Sequence, residues 1–164
     1  MKKLVFTFSL LAACCFVAQA QDYKTAIGLR FGYPTSISLK HFISEPGAIE
    51  VFAGTARRSA FYRWTNIGAM YQHHSTISGA EGLRWYIGGG GALFFWNYDR
   101  GFARRNDYGS TSLGVIGVLG LDYKFADIPL NLSADWLPTI YLGDVYENSF
   151  DPGYGSLSVR YTFK

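Results

Sequence analysis

The chain has 164 residues, of which 49% are apolar, 18% aromatic and only 16% charged, with 19 glycines among them. Such richness in apolar and aromatic side chains excludes a disordered segment, which needs low hydrophobicity and high charge, and the length fits a single domain. The formal net charge is +3, of which Lys2 and Lys3 supply two units, so the remainder is close to neutral and carries no overall electrostatic footprint for nucleic acid.

The first predicted element is a leader. Lys2 and Lys3 precede an apolar run from Leu4 to Ala13, and Ala18-Gln19-Ala20 follows with small residues at the alternate positions. That order is the one of a secretory signal peptide spanning residues 1–20 and cleaved after Ala20, leaving residues 21–164 as one domain. Leu11-Ala12-Ala13-Cys14 also has the form of a lipoprotein box, which would leave Cys14 lipidated; against it, the apolar run continues through Phe16 and Val17. Cys14 and Cys15 are the only cysteines, so the processed chain has neither a disulfide framework nor a thiol metal site. No run of about 18 uninterrupted apolar residues exists to make a spanning helix.

From there on the apolar residues recur with a period of two. Ala26–Gly32 puts Ile27, Leu29 and Phe31 on one face, and Ser36–Ile43 does the same with Ile37 and Leu39. Ala48–Thr55 carries Ile49, Val51 and Ala53, and Thr65–Gln72 carries Ile67, Ala69 and Tyr71. Leu83–Phe95 sets Leu83, Trp85, Ile87, Leu93 and Phe95 against Arg84, Tyr86, Gly88 and Gly90. Leu113–Phe125, Leu130–Trp136 and Leu157–Phe163 complete the series. Alternation over short segments is the signature of strands, and eight strands are predicted.

The connections Ser44–Gly47, His73–Ser78 and Ala126–Pro129 are short, whereas Thr55–Tyr62, Asn97–Ser110 and Pro138–Tyr154 are mostly longer; Tyr33–Thr35, short on the long side, departs from the trend. Tight turns at one end and longer loops at the other describe an up-and-down meander that closes on itself. The face opposite the apolar one is mostly Gly, Ser, Asn and scattered single charges, with few Lys or Glu, which suits a crowded lumen better than a wet surface. Aromatics such as Phe31, Tyr71, Phe95, Tyr123, Phe125, Tyr161 and Phe163 cap the apolar face near segment ends, where a membrane–water boundary favours them. The expected fold is all-β: an eight-stranded antiparallel up-and-down transmembrane β-barrel, apolar outside and polar inside.

Residues Ile27-Gly28-Leu29-Arg30-Phe31-Gly32 and Ile37-Ser38-Leu39-Lys40-His41-Phe42 resemble the opening hairpin of small eight-stranded outer-membrane barrels from Bacteroidota-type Gram-negative bacteria. Pro129–Trp136 and Ser158–Phe163 resemble the last two strands of that family, and the likeness spans about residues 23–164. It implies fold and an outer-membrane location, and little about activity. Such proteins usually finish on an aromatic residue; here Lys164 follows Phe163, a departure from that pattern.

Parity aims Arg30, Lys40, Arg84, Lys124 and Arg160, with Glu50, Asp122 and Asp135, into the lumen. Eight strands leave an interior just wide enough for side chains to fill, and charges away from water are costly unless paired. These eight are therefore expected to form a structural salt-bridged plug, with a proton or ion path as the functional alternative. Lys40 and Glu50 flank the Ser44–Gly47 turn and could pair across it. Gly88–Gly91 lacks the Gly-Lys-Ser/Thr ending and the following helix of a phosphate loop and reads as a bend or a close backbone approach. His73 and Ser75 share the spacing of a His-activated Ser nucleophile but have no identifiable acidic partner nearby, and a solvated turn is the better reading. No catalytic residue, metal site or cofactor is assigned.

The longer loops differ in charge. Arg57, Arg58 and Arg63 bracket one and Arg100, Arg104 and Arg105 lie in the next, while the last carries Asp144, Glu147 and Asp151 with Tyr141, Tyr146, Phe150 and Tyr154. The arginines could hold lipopolysaccharide phosphates, the acidic-aromatic loop could bind a partner, or the two sets could simply pair. Outer-membrane lipid is the expected surrounding, and no protein partner is identifiable. The sequence thus points to an envelope-structural or surface-interaction barrel. A narrow solute channel, a barrel-embedded lipid-modifying enzyme and a soluble periplasmic ligand-binding barrel are the alternatives.

Overall fold

The computed structural model describes residues 23–57, 62–98, 111–142, 149–152 and 155–163. The leader with its two cleavage alternatives lies outside these residues, as do Arg58, Arg100, Arg104, Arg105, Asp144, Tyr146, Glu147 and Tyr154.

Ten strand segments follow one another: β1 (Thr25–Gly32), β2 (Thr35–Phe42), β3 (Gly47–Arg57), β4 (Tyr62–Thr76), β5 (Leu83–Tyr98), β6 (Thr111–Lys124), β7 (Leu130–Trp136), β8 (Thr139–Leu142), β9 (Phe150–Asp151) and β10 (Gly155–Phe163). They make eight staves. β7 and β8 both pair with β6 and form one stave interrupted at Leu137-Pro138. β9 pairs with β8, and β10 with β7, so these two make the last stave. Pro138 has no N–H to give to a ladder, and its carbonyl instead accepts the Gly117 N–H at 2.9 Å. Each stave is antiparallel to its neighbours, and β10 returns to β1 with Leu29 opposite Val159, which closes the barrel.

Several elements run further than the alternation indicates. β3 extends to Arg57 and β4 starts at Tyr62, so Arg57 and Arg63 are strand residues facing each other in register. β4 also takes in His73, His74 and Ser75, which pair with Ile87, Tyr86 and Trp85; the solvated turn expected there is a strand end. The turn proper lies beyond, where Gly79 and Gly82 adopt positive φ (84° and 77°) that side chains disfavour. The stretch expected as the Pro138–Tyr154 loop contains β8 and β9, because Tyr141 turns into the lumen, where it is 2% exposed.

The outward face is the apolar one. Ile27, Leu29, Ile37, Val51, Ile67, Ile87, Leu113, Leu121, Val159 and their neighbours are all exposed, while the alternate positions are buried. Several inward glycines make room for the bulk opposite them. A Cβ on Gly114 would sit 2.5 Å from Phe94 Cε2, and one on Gly120 2.5 Å from Tyr86 Cζ. In the Gly88–Gly91 run, a Cβ at Gly88 or Gly90 would run into the carbonyl of Tyr71 or Ala69 on β4, so these glycines permit a close strand approach and need no nucleotide to explain them.

Candidate functional site

The lumen is where the chemistry collects, and it is built in two layers. β1, β2, β3, β6, β7 and β10 each bring inward one or more polar residues near mid-strand, because a period of two fixes which side of the wall a residue faces. Glu50 is the hub. Its Oε1 meets Arg160 Nη2 at 2.6 Å and Arg30 Nη1 at 3.2 Å, while Gln72 Nε2 donates to Oε2 at 2.6 Å. Arg30 Nη2 also reaches Asp135 Oδ1 at 2.9 Å, and Asp135 accepts from Ser156 Oγ at 2.6 Å and from Tyr86 OH at 2.7 Å. Arg160 spends its remaining donors on Ser133 (2.6 Å) and Ser38 (3.1 Å).

Towards the turn end a second pair forms. Lys40 Nζ meets Asp122 Oδ1 at 3.0 Å and lies 4.6 Å from the centroid of the Tyr86 ring. Asn131 Nδ2 (2.8 Å) and Tyr23 OH (3.3 Å) donate to Asp122 Oδ2. Burial first, and the Asp122 carboxylate second, push the Tyr23 phenol well above its ordinary range, so it stays a neutral donor.

Of the eight inward charges read from parity, the structure gathers Arg30, Lys40, Glu50, Asp122, Asp135 and Arg160, three cations with three anions. Arg84 and Lys124 stand apart from that cluster, half-buried at the turn end. The Arg84 guanidinium carbon lies 5.9 Å from the Phe42 ring centroid, and Lys124 Nζ donates to the Phe125 and Ile128 carbonyls. Both follow inward parity, but the barrel mouth lets long side chains reach polar partners at its edge. The expected Lys40–Glu50 contact is also replaced. The two are opposite in register, yet each bonds across the lumen to a more distant stave.

The layer towards the longer loops is apolar, which period-two reading did not anticipate. Trp64, Phe94, Trp96 and Tyr141 pack ring against ring with centroids 4.9–6.1 Å apart, and Trp96 Nε1 donates to Ser112 Oγ at 2.8 Å. Phe52, Ile116 and Leu137 belong to the same buried cluster. The available signal was parity: Phe94 and Trp96 share the even-numbered face of β5 with Tyr86. Between the aromatic cap and the ionic layer lies a cavity of about 20 Å³, lined by Arg30, Ser36, Asn66 and Phe94 among others, room for about one water.

His73 and Ser75 do share the outward face of β4, while His74 points inward and stacks on Tyr86 with centroids 4.8 Å apart. The carboxylates Glu50, Asp122 and Asp135 are all buried in the lumen, on the far side of the wall from that His/Ser pair. Among the described residues no group of three or more His, Cys, Asp or Glu is placed to hold a metal ion.

A closed eight-stranded antiparallel barrel, apolar outside and filled inside, is the architecture of the small outer-membrane barrels. Two solved structures share it. Neisserial surface protein A (NspA) matches with a TM-score of 0.62 at 17% identity, over 85% of this chain and 93% of that one. The N-terminal β-barrel domain of Pseudomonas aeruginosa OprF matches with a TM-score of 0.57 at 17% identity, over 85% and 95%. At this identity the likeness is one of fold. No protein-family model matches the chain, and no curated protein matches it either.

Proposed function

We propose that the chain is an integral outer-membrane barrel whose lumen is closed by its own side chains and which acts from its surface, as an envelope-structural or interaction protein. The carrying observation is the inversion of the two faces. Large apolar side chains such as Leu157 (65% exposed) and Ile43 (59%) stand outward, while Arg30, Lys40, Glu50 and Arg160 are at most 2% exposed inside. In water that arrangement would expose an apolar belt far larger than soluble monomers carry; in a bilayer it places each group in the medium that suits it. The likeness of the opening hairpin and last two strands to Bacteroidota-type barrels supports the same location.

The lumen argues for a plug over a conduit. Six paired charges and a stack of four aromatic rings occupy it, and a buried ion pair holds its place only when fully bonded. Membrane fractions run with and without boiling test the location: the unboiled band should migrate differently from the boiled one. Recovery of the protein in the soluble fraction after osmotic shock would overturn the reading. In planar bilayers the purified protein should leave conductance at baseline, and steady single-channel steps would replace the plug with a channel.

A further inference from the structure

One register row on the outward face crosses five of the eight staves. Trp85 of β5 stands opposite Leu121 of β6, Leu121 opposite Ala134 of β7, Ala134 opposite Leu157 of β10, and Leu157 opposite Phe31 of β1. Four of these side chains are large and exposed. Ala134 in the middle is small, and Gly155, diagonal to it on β10, has no side chain at all. The row therefore dips at its centre into an open groove of about 800 Å³. Ile87 and Leu119 on one side of the row, and Leu132 and Val159 on the other, are exposed too, so the groove is continuous with the apolar belt that membrane lipid covers.

Its lining selects an apolar occupant. Trp136, opposite Gly155, walls the groove on the loop side, and its Nε1 donates to the Pro152 carbonyl at 2.6 Å, so the ring offers only carbon to the groove. The Asp135 and Ser156 side chains bond to each other and to Arg30 inside the lumen. The path also has a direction and a length. It begins two residues from the turn end of β5 and finishes one residue from the loop end of β1. Four strand spacings make roughly 19 Å, which at a barrel strand's tilt climbs about 12 Å along the membrane normal. One leaflet of hydrocarbon is about 15 Å deep. A path of that length wound around a convex wall suits a flexible chain, whereas a second barrel would touch the wall along a single line.

Polar outward groups mark the turn end of the path. On β4, Ser75 is opposite Trp85 and His73 is opposite Ile87, and a hydroxyl and an imidazole suit the ester and phosphate oxygens of a headgroup. The short turns of such barrels face the periplasm. We infer that the groove holds one acyl chain of a periplasmic-leaflet glycerophospholipid, its headgroup beside Ser75 and His73 and its tail running over Ala134 towards Phe31. The inference rests on the outer-membrane reading and names one lipid, at one place on the wall, that this reading would meet.

The test is native mass spectrometry of the folded, detergent-purified full chain, offered palmitoyl-oleoyl phosphatidylethanolamine and, separately, lipid A. Wild type should retain one phosphatidylethanolamine. Ala134→Phe, which fills the groove from outside, should retain it at least about fivefold more weakly as carbon contacts are lost. Ala53→Phe, at an equally outward alanine on β3, should bind as wild type does. Undiminished retention by Ala134→Phe would overturn the site. Stronger retention of lipid A than of phosphatidylethanolamine would overturn the leaflet assignment, and a dimer mass that Ala134→Phe abolishes would replace the lipid with a second copy. Should Ala134→Phe fail to give the unboiled gel band of a folded barrel, Ala134→Leu takes its place, and retention equal to wild type would count against the site. Flotation with vesicles separates the two readings: a protein that floats but shows no Ala134-dependent retention sinks only this inference, and one that does not float sinks the membrane reading itself.

Discussion

Lys40 and Glu50 stand directly opposite on β2 and β3, yet they do not bond to each other. Lys40 reaches Asp122 on β6, and Glu50 is clamped by Arg30 of β1 and Arg160 of β10. Opposite charges on adjacent staves are already held near each other by the ladder, so pairing them would add little constraint. Bonds that cross the lumen instead tie together staves with no backbone hydrogen bonds between them, as β2 is tied to β6 and β10 to β3. The ionic layer is in that sense a set of cross-braces.

Glu50→Ala tests the bracing directly. It leaves Arg160 without its carboxylate, takes one of the two carboxylates from Arg30 and leaves Gln72 without its acceptor, and an unpaired buried charge costs about 3 kcal/mol or more. The expected outcome is a lower unfolding temperature in detergent, read from the loss of the fast-migrating unboiled band. An unchanged transition would mean that Glu50 is not the inward hub.

The packing of the cap gives a second test. Gly114 lies beneath Phe94, and an added Cβ would stand 2.5 Å from its ring. Overpacking of a filled interior costs about 1–3 kcal/mol, so Gly114→Ala should destabilise the barrel by that order. Phe94→Leu should recover part of the loss when the two are combined. Strict additivity of the two substitutions would show that they do not touch.

Much of this architecture is legible in the sequence because a barrel wall with one apolar and one polar face enforces the alternation. Ile27, Leu29 and Phe31 must all face outward, and that fixes Gly28 and Arg30 inward without further information. The reading stops at Trp64 and Trp96 for a physical reason. These rings are apolar, which in a membrane barrel argues outward, while their parity argues inward, and parity wins because they pack on Phe94, Tyr141 and each other across the lumen. The break at Pro138 misleads similarly, since a proline that cannot serve the ladder looks like a loop, although β8 resumes the stave one residue later. Ion partners such as Lys40 and Asp122 lie 82 residues apart, and no local pattern specifies which charges meet across a lumen. Arg57 and Arg63 look like loop residues until the register of β3 and β4 sets them face to face.

Tyr23 makes stability at the turn end depend on alkaline pH. It precedes β1 and is buried, and its phenol donates to Asp122 at 3.3 Å. Its pKa is raised, by burial first and the Asp122 carboxylate second, so the folded state holds the proton more tightly than the unfolded chain does. The contribution is intact below about pH 10 and is lost as pH rises through the raised folded value. Above about pH 10 the unfolding temperature of wild type should therefore fall more steeply than that of Tyr23→Phe, which has no phenol to ionise. Parallel slopes would remove Tyr23 from the account of alkaline unfolding.

On the plug reading each lumen layer should close the barrel by itself, and conductance can separate them. Trp64 and Trp96 form much of the cap, while Arg30, Glu50 and Arg160 lie deeper and make none of their hydrogen bonds to those two rings, the Arg30 guanidinium carbon meeting the cap only at Phe52, 5.5 Å from its centroid. Replacing both tryptophans with alanine opens space only on the loop side, because the ionic layer below keeps its full set of partners. The cost should appear in stability, at about 3–5 kcal/mol for each large aromatic truncated in a packed interior, and not in permeability. In planar bilayers Trp64→Ala/Trp96→Ala should stay at the wild-type baseline provided it still folds, which the unboiled gel band reports. Discrete current steps from the folded double variant would mean that the cap alone seals the lumen and that the six buried charges are no barrier to ions.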